Sequence, residues 1–215
     1  MKKKIFSLAL LSALFFSCDS EDNDVAVEAE ERETIQNCLY SYNSANTKLD
    51  WTAYKFLSKA GVGGTFNRID VESMDNAADP VALIESLKFS IPINSVETND
   101  QGRNGKIQEF FFGSLASTDL LTGSVVSLGD NNIAVMEITM NEITQNVEGD
   151  YTLEGSTFTW NTEINVNEWN AEAGLNALNE ECKDLHTDYE NGDTESKLWP
   201  DVTISFSTTL IENCD

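Results

Sequence analysis

The residues Lys59-Ala60-Gly61-Val62-Gly63-Gly64-Thr65 bring a lysine, three glycines and a threonine into one short stretch, the residue types of a phosphate-binding loop. Such a loop turns backbone N–H groups and a lysine toward phosphate oxygens, and it requires Gly-Lys-Ser/Thr at its end. Here the lysine precedes the glycines. A dinucleotide fingerprint starting at Gly61 and Gly63 requires a third glycine where Phe66 stands, followed by a helix that the sequence does not offer. The stretch is therefore expected to be a tight turn between two strands, and nucleotide chemistry is not expected from it.

Other reactive side chains are few. The single histidine, His186, stands between Asp184 and Asp188, either of which would orient an imidazole as a general base. No serine occupies a nucleophile motif, so His186 reads first as a turn or helix-end residue; a hydrolase or isomerase using His186 or a carboxylate pair is one alternative, and a non-binding surface or adhesion module with an acidic exterior is another. A zinc site needs more His and Cys ligands than the chain offers. Asp188, Glu190, Asn191, Asp193 and Glu195 form an acidic loop without EF-hand spacing. With 37 Asp and Glu in the chain, carboxylate pairs arise by accident and identify no glycosidase site. No catalytic residue, metal or cofactor is expected.

The elements that would position any site read mainly as strands. Leu87, Phe89, Ile91 and Ile93 alternate with Lys88, Ser90 and Pro92. Ala134, Met136, Ile138 and Met140 form a second such face, Phe158, Trp160, Ile164 and Val166 a third, and Val202, Ile204, Phe206 and Leu210 a fourth. Period-two alternation marks strands with one buried face. Less regular candidates are 49–57, 62–71, 106–112, 123–128 and 147–153, separated by Gly, Asn and Asp clusters. Together they give eight or nine short strands joined as hairpins, a mainly antiparallel β fold.

Two helices are expected, over 78–85 and 171–185, the second with Leu175, Leu178, Cys182 and Leu185 on one stripe facing the core. Cys38 precedes the first strand and Cys214 follows the last. If those strands pair to close a barrel the two cysteines meet, which favours a Cys38–Cys214 disulfide and leaves pairings with Cys182 open. Eleven Phe, four Trp and four Met would either fill a core or line a cavity, and composition alone favours the filled core.

The chain begins MKKKIFSLALLSALFFSC, a basic start, an apolar run from Ile5 to Phe16 and a small residue before Cys18. That is the layout of a secretory signal over 1–17, and the run is too short to span a bilayer. The cysteine directly after Ser17 resembles the lipobox of bacterial lipoproteins, in which cleavage exposes a cysteine that carries acyl chains. Residues 18–36, acidic and poor in apolar side chains, read as a solvated tether. The run behind the cysteine also resembles a surface-export signal of Bacteroidetes-type lipoproteins. An outer-membrane lipoprotein, periplasmic or surface-exposed, with its membrane contact through Cys18 is thus expected. The formal charge of −24 excludes nucleic acid as a partner. Residues 37–215 suit one domain.

In order along the chain, WTAYKFLSKAGVGGTFNRIDV, LKFSIPINSVETND, GRNGKIQEFFFGSL and VEGDYTLEGSTFTWNTEINV resemble the YceI-like domain family. The matching positions are Gly64 and Phe66; Ile91, Ser95, Val96 and Thr98; Arg103 with Phe111 and Phe112; and Gly149, Leu153 and Gly155. The likeness spans about 48–211. This chain lacks the histidines many members carry in the first strand pair and before the arginine, and ALNEECKDLHTDYENGDTESKLWPDV replaces a short connection. The resemblance implies a lipocalin-like antiparallel barrel of about eight strands with one or two short helices, holding an isoprenoid-like or other long amphiphile by burial rather than catalysis. The residues it would use to line the cavity are Phe89, Ile91, Met136, Ile138, Phe158, Trp160, Ile204 and Phe206, joined by Trp51 and Tyr54.

Overall fold

The computed structural model describes residues 37–117 and 119–215. The expected signal, Cys18 and the tether lie outside them. Twelve strand segments follow in chain order: β1 (Cys38–Ser41), β2 (Thr47–Lys55), β3 (Ala60–Phe66), β4 (Asp70–Glu72), β5 (Lys88–Pro92), β6 (Val96–Glu97), β7 (Leu120–Leu128), β8 (Ile133–Met140), β9 (Ile143–Glu154), β10 (Thr157–Asn165), β11 (Leu198–Thr209) and β12 (Ile211–Cys214). The helices are α1 (Pro80–Glu85), α2 (Gln101–Lys106) and α3 (Glu172–Glu181). None of the described helices is long and apolar enough to cross a membrane.

Ten of the strands form one antiparallel sheet in the order β4-β5-β7-β8-β9-β10-β11-β2-β3-β6. Its two ends are the same two stretches of chain, because β3 runs on into β4 and β5 into β6. Thr65 and Phe66 pair with Glu97 and Val96, and after a register change Asp70, Val71 and Glu72 pair with Ser90, Phe89 and Lys88. Residues 60–72 thus lie against residues 88–97, and the sheet curls into a barrel of eight chain passes. The register changes at Pro92, which has no N–H to give a ladder, and at the 3-10 turn Ile93–Ser95.

The glycine-rich stretch is strand, not turn. The turn is Phe56–Lys59, where the positive φ angles belong to Phe56 and Lys59, while Gly61, Gly63 and Gly64 lie in β3. Gly64 is set by its partner across the ladder: a Cβ there would stand 2.2 Å from the Trp51 ring. The inward indole of Trp51 therefore lies over bare backbone.

Residues 106–112, expected as a strand, are helical. Asp100 caps α2 by accepting from the Arg103 N–H, and the helix continues through a π-helical stretch, Ile107–Phe111, into a 3-10 turn at Phe112–Ser114. Buried Asn104 fixes this segment to β6. Its Oδ1 accepts from the backbone N–H and hydroxyl of Thr98, and its Nδ2 donates to Glu97. The Asn104 amide first, and then the backbone N–H of Asn99, hold the Glu97 carboxyl below the usual carboxylate range.

α1 begins at Pro80 with Asp79 as its cap and buries Leu83 and Ile84 completely. It lies at the end of the barrel where β4 leads into β5, together with the two-stranded ribbon of β1 and β12. The helical segment 101–114 and the insert containing α3 lie at the opposite end, where β6, β10 and β11 meet their connections. Within the expected 171–185 helix, α3 stops at Glu181 and a 3-10 turn, Lys183–His186, follows. Its stripe is divided: Cys182 is buried and Leu185 is 59% exposed.

Cys38 and Cys214 are register partners and form a disulfide across a separation of 176 residues, while Cys182 is a free buried thiol. Closing so long a loop constrains the unfolded chain. Replacing both cysteines with serine is expected to lower unfolding free energy by about 2–5 kcal/mol, read by urea denaturation, and reductant should bring the native protein to the same midpoint.

Candidate functional site

Inward side chains of the barrel surround a cavity of about 520 Å³, well within the size of small-molecule sites. Alternation along each strand builds its wall. From β2 come Leu49, Trp51 and Ala53; from β5, Phe89 and Ile91; from β8, Met136, Ile138 and Met140; from β11, Val202, Ile204 and Phe206. Trp160 and Ile164 of β10 complete that side.

Polar edges inside are tied off. The indole N–H of Trp51 donates to Thr65 O, that of Trp160 to Ala134 O, that of Trp169 to Ile138 O and that of Trp199 to Phe56 O. Each of the four tryptophans gives its one donor to a backbone carbonyl and keeps only carbon surface for its neighbours.

Of the residues expected to line a cavity, Phe89, Ile91, Met136, Ile138, Trp160, Ile204, Phe206 and Trp51 stand in this wall. Phe158 does not. It is one inward step beyond Trp160 toward the α1 end, fully buried between Tyr151 and Phe206 at centroid distances of 5.9 and 6.3 Å. Its place is the solid core that fills that end. Tyr54 borders the cavity at the helical end, but it has the opposite parity from Trp51 and Ala53. Its hydroxyl lies 2.6 Å from that of Thr203, and the Lys59 ammonium stands 5.1 Å from its ring centre. The tyrosine serves the outer face.

At the helical end the wall changes character. Ile107, Phe111, Leu175, Leu178 and Cys182 extend the apolar surface, and Lys55, Arg103, Lys106 and His186 stand with them. Lys106 pairs with Glu181 at 3.2 Å and Arg103 with Asp100 at 3.6 Å. Lys55 donates to Leu185 O at 2.9 Å. Burial lowers the Lys55 pKa, and the nearby Arg103 guanidinium lowers it further. These groups were not legible as a site. Asp100 three residues before Arg103, then Ile107 and Phe111 four apart, was the available helix signal, and Gly102 and Gly105 obscured it.

His186 belongs to this mouth as a neutral ring. Asn179 donates through Nδ2 to Ser196, which leaves its Oδ1 to accept from His186 Nδ1–H at 3.0 Å. Burial, then Lys55 and Lys106, push its pKa down to about 4. Neither flanking aspartate orients the ring: Asp184 accepts from the Tyr189 hydroxyl and Asp188 caps its own turn. Burial holds the Cys182 thiol above its ordinary pKa, so it stays protonated. In the acidic loop, Asp193 accepts from the backbone N–H groups of Leu57 and Asp188, tying the insert to the β2–β3 hairpin.

The depressed histidine carries a sign. Between pH 6.5 and about 4 the unfolded chain binds a proton there that the folded chain does not, so this contribution is complete above pH 6.5 and is lost as pH falls. His186→Gln, which keeps a side-chain amide and removes the titration, is expected to flatten the fall in thermal midpoint over that window.

The sequence model of the YceI-like domain matches residues 40–210. No curated protein matches the chain. Among solved structures, the polyisoprenoid binding domain from Saccharophagus degradans, described as implicated in plant cell wall breakdown, is 13% identical, covers 84% of this chain and 99% of its own, and gives a TM-score of 0.55. BcnA of Burkholderia cenocepacia is 14% identical, with 80% and 99% covered and a TM-score of 0.53. At such identities the likeness is one of fold, and the sequence match over 40–210 carries the family assignment. The chain belongs to the YceI-like domain family.

Proposed function

We propose that the protein is a binding protein of the bacterial cell envelope. It takes an isoprenoid-like or other long amphiphile into its barrel for sequestration or transport, and is held at the outer membrane by acyl chains on Cys18. The observation that carries this reading is the division of the cavity surface: a wall of apolar side chains with its tryptophan donors satisfied, ending at a mouth that gathers Lys55, Arg103 and Lys106. A hydrocarbon chain gains by leaving water for such a wall, at roughly 25 cal/mol per Å². The head group stays at the mouth, where ammonium and guanidinium donors meet oxygen acceptors. Binding of this kind needs no covalent or proton-transfer step. Membership of the family and the polyisoprenoid-binding description of the Saccharophagus domain support the ligand class.

Ala53 offers a direct test, because a tryptophan there would fill the cavity from the β2 wall. Delipidated protein is expected to bind geranylgeraniol in native mass spectrometry, and Ala53→Trp to weaken that binding at least about tenfold, or roughly 1.4 kcal/mol. Wild-type protein that takes up no prenol would overturn the reading. The anchor is tested separately: Cys18→Ala is expected to move the protein from the membrane fraction to the soluble fraction, and persistence with membranes counts against lipidation.

A further inference from the structure

Resting on the ligand reading above, we infer that the barrel is a ruler: Trp160, with Phe206, Met136 and Val125, forms a fixed floor that limits the bound chain to about three to four isoprene units. The wall stops at one level on neighbouring strands. Met136 lines the cavity and Ala134 does not; Trp160 does and Phe158 does not; Phe206 does and Thr208 does not. Trp160 pairs directly with Phe206, and Val125 with Met136; the Trp160 ring links the two pairs by reaching across to Ala134 O, two residues from Met136 on β8. Behind them the α1 end is solid, with Phe158, Ala134, Leu83, Ile84 and Thr208 at 0–1% exposure.

The floor is rigid as well as continuous. The Trp160 indole donates to Ala134 O at 3.4 Å. It also lies over Gly149, where a Cβ would come within 2.5 Å of its nitrogen. Ring and backbone are thus in contact, and the ring cannot sink toward β9. Phe158 blocks the space beyond, wedged against Tyr151 and Phe206.

Depth and volume agree on the length admitted. Leu198 at the mouth stands opposite Lys55 and Phe206 opposite Leu49, and all four line the cavity. β11 is bulged between Leu198 and Val202, so the depth is read along the regular partner β2, from Lys55 to Leu49. At roughly 3.3 Å per residue and a tilt of about 40°, that is a depth of about 15 Å. An extended chain advances about 1.2 Å per backbone bond, so an isoprene unit of four such bonds takes about 5 Å and about three units fit. Independently, 520 Å³ holds about 17 non-hydrogen atoms at the roughly 30 Å³ each that water takes in the liquid. With five carbons per unit, that is between three and four units.

The test is a competition in which the delipidated full chain is offered an equimolar detergent-solubilised mixture of farnesol, geranylgeraniol and solanesol, and native mass spectrometry reads the bound ratio. Wild type is expected to favour geranylgeraniol over solanesol by at least about tenfold, the cost of a misfit in an apolar pocket. Trp160→Ala, and the milder Trp160→Phe should the first not fold, are expected to raise the solanesol share severalfold with geranylgeraniol still bound. Equal uptake of solanesol by the wild type, or an unchanged ratio in a folded Trp160 variant, overturns the ruler and leaves the binding reading standing. Failure of every prenol to bind overturns both.

Discussion

Closure of the sheet is the constraint on which the rest of the molecule depends. In an ordinary two-layer β domain, side chains from facing layers hold the backbone apart by filling the space between them. A barrel with a cavity gives up those contacts along its upper half and must replace them with an unbroken ring of ladders. Here the ring closes through residues 60–72 and 88–97, two stretches whose registers differ on either side of Pro92. The mismatch is absorbed locally: Ser95 Oγ donates to Pro92 O at 2.6 Å, and the Asn67 N–H donates to Ser95 O at 2.7 Å. Without that splice the sheet would have two free edges beside an apolar interior.

Charge is distributed to suit that interior. Among the described residues Asp100 is the one carboxylate that lines the cavity, whereas three of the nine lysines and arginines between residues 37 and 215 stand at its mouth. Carboxylates on Asp100 and Glu181 balance two of them from the side. Solvent-exposed pairs of this sort contribute little stability, so the cations are held in place more than they are neutralised. His186, uncharged at neutral pH and fixed by Asn179, adds a polar edge without adding a fourth positive charge.

The strands were legible because a half-buried strand writes its two faces into alternate residues, as Phe89 and Ile91 or Ile204 and Phe206 do. The same property hides the distinction between cavity and core. Trp160 and Phe158 are both inward aromatic residues of one strand, and only the taper of the barrel end decides that one meets a cavity and the other meets Tyr151. The glycines of β3 resemble a turn in sequence for a related reason. Gly64 is required by a ring on the neighbouring strand, and such a cause leaves no mark in the local sequence. The mouth was least legible, since Lys55, Arg103 and Lys106 come from a strand and a helix that only tertiary structure brings together, and residues 106–112 carry apolar side chains dense enough to pass for a strand.

The ribbon of β1 and β12 has a mechanical meaning. The N–H of Asp215 donates to Asn37 O, and one residue further in a covalent bond joins Cys38 to Cys214. A pull applied at residues 37 and 215 therefore runs through sulfur and does not reach the hydrogen-bonded ladders of the barrel. Under tension the intervening residues form a slack loop outside the load path, and the container keeps its shape whatever strain its two ends transmit.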